Sequence, residues 1–130
     1  MIKKILPLLA TCLVLNHAFA ADGCTAPKTS YDKTFCTAKL FMESDSELNA
    51  VYKKLMGFVK GDVKKNLVQA QRNWIHFRDN SCSQSTSIDV DCNFKVNKDR
   101  ITFLEDRARE CKTGHCQNDS IVTQDFKTTQ

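Results

Sequence analysis

Apolar residues recur at helical spacing through most of this chain. Between residues 31 and 56 they fall at Tyr31, Phe35, Leu40, Phe41, Leu48, Val51, Tyr52, Leu55 and Met56, with no proline or glycine before Gly57. Steps of three and four keep side chains on one face of a helix. The pattern therefore predicts one long helix, or two in tandem, from about Thr29 to about Phe58. Thr29-Ser30-Tyr31-Asp32 has the form of a capping box with Asp in place of Glu, and Pro27 discourages helix at Ala26, leaving 21–28 as an extended lead-in. Gly57 to Asn66 holds two glycines and several charges and predicts a turn, with Asp62 as N-cap of the next helix. That second helix runs to about Asn80 with Leu67, Ala70, Gln71, Trp74, Phe77 and Arg78 facing inward. A polar loop, residues 83–91, separates Cys82 from Cys92. A third helix, from about Asn93 to about Glu110, carries Phe94, Asn97, Ile101, Leu104, Ala108 and Cys111 as a heptad-like seam.

The fold class expected is all-α: a small antiparallel three-helix domain stapled by disulfides, with a flexible C-terminal tail. β-branched stretches are short and scattered, so strands are not expected. Residues 112–130 have almost no apolar content and no periodicity, and are read as a disordered polar tail. There is no internal repeat.

The N-terminus changes the domain limits. Met1-Ile2-Lys3-Lys4, an apolar run from Ile5 to Leu15, and Ala18-Phe19-Ala20 have the layout of a secretory signal peptide over residues 1–20, cleaved near Ala20. The apolar run is too short to span a bilayer. Cys12 lies inside it, preceded by Thr11, a poor context for a lipoprotein anchor. The expected domain is then 21–111, followed by the tail. Cleavage removes Lys3 and Lys4 and no acid, leaving 17 basic and 15 acidic residues, a net of +2. Half of the formal +4 of the chain belongs to the leader, so the balance gives little support to a nucleic-acid partner or to stable membrane insertion. Lys64-Lys65 reads as a solvated helix face.

Six cysteines remain after the leader: Cys24, Cys36, Cys82, Cys92, Cys111 and Cys116. An even number in a small exported chain is a disulfide framework. The protein is expected in the periplasm or secreted. A bridge closing ten to fifteen residues adds about 3 kcal/mol by restricting the unfolded chain.

Candidate chemistry centres on Gln71, Trp74 and Arg78, which share one helical face at spacings of three and four, with Asp79 beside them. Asp45, Asn49 and Tyr52 share a face of the first helix. Asp45 and Asn49 have poor intrinsic propensity in a helix interior, which a partner for Asp45 would offset. The expected arrangement pairs Asp45 with Arg78 and lets Gln71, Asn49 and the Tyr52 hydroxyl share the hydrogen bonds. It serves either as a lock on helix register or as a recognition patch. No nucleophile–base pair, H-E-x-x-H or phosphate loop occurs, and His76 stands alone, so no enzyme is expected. Cys111-x-x-x-His115-Cys116 offers three metal-type ligands where structural zinc uses four, and a Cys111–Cys116 bridge is the better reading. No cofactor is expected. The loop 83–91 carries Asp89 and Asp91. It is either a solvated connector or a platform presenting those acids to a basic partner.

One further feature is the combination Cys24-x-Ala26, Cys36, Asp45-x-x-Leu48-Asn49-x-x-Tyr52, Gln71-x-x-Trp74-x-x-x-Arg78-Asp79-x-x-Cys82, Cys92, then Arg100-Ile101 and Leu104. From Cys24 to about Arg109 this resembles the LprI-type lysozyme-inhibitor domain. The resemblance implies an exported, helical, disulfide-bonded envelope domain, pairing of Cys24 with Cys36 and of Cys82 with Cys92, and a protein partner of the lysozyme kind. Cys111, Cys116 and the tail lie outside it. The function expected is inhibition of lysozyme by binding and blocking the enzyme. The alternatives are a binding or immunity module for another envelope-directed hydrolase or toxin, and a structural envelope protein without an enzyme target.

Overall fold

A computed structural model describes residues 24–124. The leader, its cleavage near Ala20 and Cys12 lie outside the described residues. The chain forms α1 (Ser30–Phe58), α2 (Gly61–Ser81), a minimal hairpin β1 (Ser83–Gln84) and β2 (Ser87–Ile88), α3 (Val90–Lys112) and α4 (Asn118–Val122).

The start of α1 follows from its sequence. Thr29 is the N-cap, its hydroxyl accepts from the Asp32 amide at 3.0 Å, and the Asp32 carboxylate accepts from the Thr29 amide at 3.0 Å. Two donors that the helix leaves orphaned are thereby satisfied. The turn after α1 is tighter than its composition suggests. Gly57 stays helical and only Val59 and Lys60 separate the helices. Val59 is buried and pins the chain, while Gly61 takes the left-handed φ of +57° that the reversal needs. Asp62 is not the N-cap; Lys60 holds that position and makes no side-chain capping bond. Asp89, by contrast, caps α3, its carboxylate accepting from the Cys92 amide at 2.9 Å.

The side-chain pairings fix the topology. Ser44 meets Asn97 and Glu47 meets Lys98, so positions on α1 and α3 advance together and these helices run parallel. Arg78 meets Asn97 and Gln71 meets Arg100, so α2 runs opposite to both. This is the up-down-up bundle expected. At 29 residues α1 is about 43 Å long, against about 31 Å for the 21 residues of α2. The first turns of α1 therefore project beyond the end of α2. Tyr31 is 78% exposed and Phe35 56%, so the first apolar positions of the helix are not core. The core consists of Leu48, Leu55, Val59, Leu67, Trp74, Val96, Ile101, Leu104 and Ala108, with Ile121 added from beyond α3.

The fourth helix corrects the expectation for the tail. Cys111 bonds Cys116, which turns the chain at the end of α3. α4 then lies back on α2. Ile121 is 1% exposed, Asn66 donates to Asn118 at 2.8 Å, and the Gln124 side-chain oxygen accepts from Arg100. Through residue 124 this segment is part of the domain. One buried isoleucine suffices to dock a short amphipathic turn whose composition is otherwise polar.

Candidate interaction surface

Two groups of residues stand out, one inside the bundle and one at its end. The inner group forms where the polar positions of the three long helices meet. Arg78 Nη1 donates to Asp45 Oδ1 at 3.1 Å and to Asn97 Oδ1 at 3.2 Å, and Asn97 in turn donates to the buried Ser44 hydroxyl at 3.1 Å. The other side of the guanidinium pairs with Asp79 at 3.1 Å. The Asp45–Arg78 pairing expected between the helices is present, and Asn49 donates to Asp45 at 3.4 Å.

The network is smaller than expected in two respects. Gln71 does not join it; its side-chain oxygen accepts from Arg100 Nε at 3.0 Å. The Tyr52 hydroxyl makes no hydrogen bond among the described residues. Partial burial raises its pKa, opposed by the nearby charges of Arg100 and Arg72.

Arg100 is the residue that sequence reasoning undervalued. It is fully buried, no carboxylate pairs with it among the described residues, and its Nη2 has no partner there. Burial pushes its pKa down to about 10, partly countered by Tyr52, so it remains charged at neutral pH. Aromatic faces supply much of its environment. Its Cζ lies 5.8 Å from the Trp74 ring centre and 4.9 Å from that of Phe103. Arg78 also lies against Trp74 at 5.1 Å, and Arg107 against Phe103 at 5.1 Å. Each cation is attracted by the negative face of a ring. The sequence held one signal for it: Asn93, Asn97, Arg100 and Leu104 fall at four, three and four on the buried face. Arg100 itself is closed to solvent, at 0% exposure. Trp74, 1% exposed, lies at the centre of this group.

The second group lies at the end where α2 stops and α3 begins. The polar loop expected there is a two-residue-per-strand hairpin, with Ser83 paired to Ile88 and Gln84 to Ser87. Ser85 at the turn has a left-handed φ of 49°. The base is closed twice, by the Cys82–Cys92 disulfide and by the Asp89 amide donating to the Cys82 carbonyl at 2.9 Å. Residues 83–89 are all exposed, Ile88 to 68%. Asp89 is occupied as the cap of α3, and Asp91 pairs with Lys95 at 2.7 Å. Tyr31, Phe35 and Met42, which share one face of the projecting part of α1, are exposed at the same end. The Cys24–Cys36 disulfide braces that projection beside an open hollow of about 310 Å³ lined by Tyr31, Asp32 and Phe35.

Charge is polarised along the bundle. The hairpin end, residues 24–49 and 75–99, carries six basic and eight acidic residues, a net of −2. The opposite end, residues 50–74 and 100–124, carries ten basic and five acidic, a net of +5. A near-neutral total thus hides an acidic end and a basic one.

All six cysteines among the described residues are bridged, as 24–36, 82–92 and 111–116. His115 is exposed, and among the described residues no group of three His, Cys, Asp or Glu is placed to hold a metal. Within the same residues no helix is long and apolar enough to cross a membrane.

The family described as Lysozyme inhibitor LprI matches residues 22–114. No curated protein and no solved structure is significantly similar to the chain.

Proposed function

The chain belongs to the LprI lysozyme-inhibitor family, and from that premise we propose that it is exported to the bacterial envelope and inhibits lysozyme by binding it, with the acidic hairpin end as the contact surface. The observation that carries this reading is the disulfide-closed hairpin 83–88 standing on the negative end of a polarised bundle. Lysozyme attacks glycan through two carboxylates in an open cleft. A narrow projection of small polar residues with one apolar side chain, Ile88, suits entry into such a cleft. Closure at the base restricts the hairpin before binding and lowers the ordering cost of association. The acidic end steers a basic enzyme toward it, which the net charge of the whole chain does not. Asp89 and Asp91 supply part of that field even though one is a cap and the other is paired.

A cell-wall lysis assay with the mature protein tests the reading. Dose-dependent protection against lysozyme is expected. Replacing Asp89→Ser with Asp91→Asn keeps a capping oxygen at 89 while removing two charges, and should weaken inhibition with the fold intact. Unchanged inhibition would remove these acids from the contact. No protection by the parent protein, with recovery of another hydrolase or toxin by pull-down, would replace lysozyme as the target.

A further inference from the structure

The basic end has a composition of its own. Between residues 53 and 65, the hairpin that joins α1 to α2, the chain carries Lys53, Lys54, Lys60, Lys64 and Lys65 against a single acid, Asp62. All five lysines are exposed. Only Lys65 forms an ion pair among the described residues, with Asp62 at 3.0 Å. Phe58, the last residue of α1, sits at this tip between Gly57 and Gly61 and is 38% exposed. Nothing in the bundle's packing calls for an aromatic ring there, since the adjacent Val59 fills the core position. Four further acids share this end of the bundle, Glu105, Asp106, Glu110 and Asp119; Asp106 and Glu110 pair with Arg109 and Arg107, and the five lysines less Asp62 leave residues 53–65 with a net of +4.

We propose that this basic tip docks the protein on an anionic phospholipid surface. Lysines around an exposed aromatic are the chemistry that such a surface recognises. The ammonium groups meet headgroup phosphates, their stems lie along the interface, and the ring enters the boundary between headgroups and acyl chains. A soluble polyanion would use the lysines but has no place for Phe58. Attachment here is peripheral and differs from insertion of a helix. It also sets an orientation, with the hairpin 83–88 directed away from the membrane. The proposal does not depend on the identity of the enzyme inhibited.

Vesicle co-sedimentation with the mature protein is the test, using phosphatidylglycerol mixed with phosphatidylcholine and, separately, phosphatidylcholine alone. Binding to the mixed vesicles alone is expected, and it should vanish near 1 M salt, where the screening length falls to about 3 Å. Each lysine near an anionic surface contributes roughly a five-fold change in partition. Lys53→Gln, Lys54→Gln, Lys64→Gln and Lys65→Gln together should lower it more than roughly a hundred-fold. The smaller pair Lys64→Gln with Lys65→Gln should lower it by at least ten-fold, about half the effect in logarithmic terms. The matched pair Lys28→Gln with Lys33→Gln, at the acidic end, should leave it unchanged, and Phe58→Ser should weaken it with all lysines present. Equal partition into the neutral vesicles, unaltered binding of both lysine variants, or full competition by soluble glycerophosphate would each overturn the proposal.

Discussion

Arg100 holds a full positive charge in the core, and the ways in which it is tolerated are specific to the guanidinium. Its planar face lies near two aromatic rings, and its edges donate to Gln71 and Gln124. A lysine keeps the charge but loses the fork and the stack. Arg100→Lys should therefore destabilise by about 3 kcal/mol, and by more than Arg100→Met, which removes the buried charge altogether. Urea unfolding of both variants checks the ranking. Asp45 and Arg78 make a different case. Asp45 is 42% exposed in its side chain, so solvent screens the pair, and a double-mutant cycle should give a coupling of about 0.5–1 kcal/mol that shrinks with salt. Trp74→Ala removes the ring on which both arginines lie and leaves a large cavity. A loss of about 3–5 kcal/mol is expected, enough to unfold much of the population at ambient temperature.

Among the elements, α4 is the one whose contribution is least evident from its length. It has five residues and one buried side chain. Ile121→Ala should cost about 2–4 kcal/mol, as for other large-to-small core changes. A disordered tail would give no change in the denaturation midpoint. The Cys111–Cys116 bridge closes a short loop, so replacing both cysteines by serine should cost about 2 kcal/mol through the unfolded chain, and should also loosen α4. Hydrogen exchange at the amides of residues 118–122 would register that loosening directly. The hairpin 83–88 depends on its disulfide in another way. Two two-residue strands are far too little to persist alone, and the bridge with the Asp89–Cys82 hydrogen bond holds them.

Across the whole molecule the separation of charge matters more than its sum. Residues 24–124 carry a net of only +3, yet their two ends differ by seven charges, −2 against +5. On the proposed reading, the acidic end steers a basic enzyme over a distance set by the screening length, about 10 Å at 0.1 M salt. Stopped-flow association with lysozyme should therefore slow as salt rises, while dissociation changes little. An association rate indifferent to salt would argue against the acidic end as the docking face.

Much was legible from the sequence. Periodicity located the three long helices because their buried faces repeat at three and four. Thr29 and Asp32 fixed the start of the first through local hydrogen bonds, and the six cysteines from Cys24 to Cys116 announced the framework. The Asp45–Arg78 contact was visible because Asp45 and Asn49 have poor propensity in a helix interior, which a partner for Asp45 offsets. What the sequence left open depends on contacts between distant segments. The docking of Ile121 needs a groove that α2 and α3 make together, and composition alone describes residues 112–124 as polar. The burial of Arg100 is decided by Trp74 and Gln71 on α2, Phe103 on α3 and Gln124 just beyond α4. Exposure of Tyr31 and Phe35 follows from the length of α1 relative to its neighbours, since an apolar face is buried only where another helix reaches it. The opposed charges at the two ends appear only once the up-down-up path brings α1, α2 and α3 to a common level. Local chemistry set where the helices begin and which faces pack; the relative lengths and register of the packed helices decided which residues remained to meet a partner.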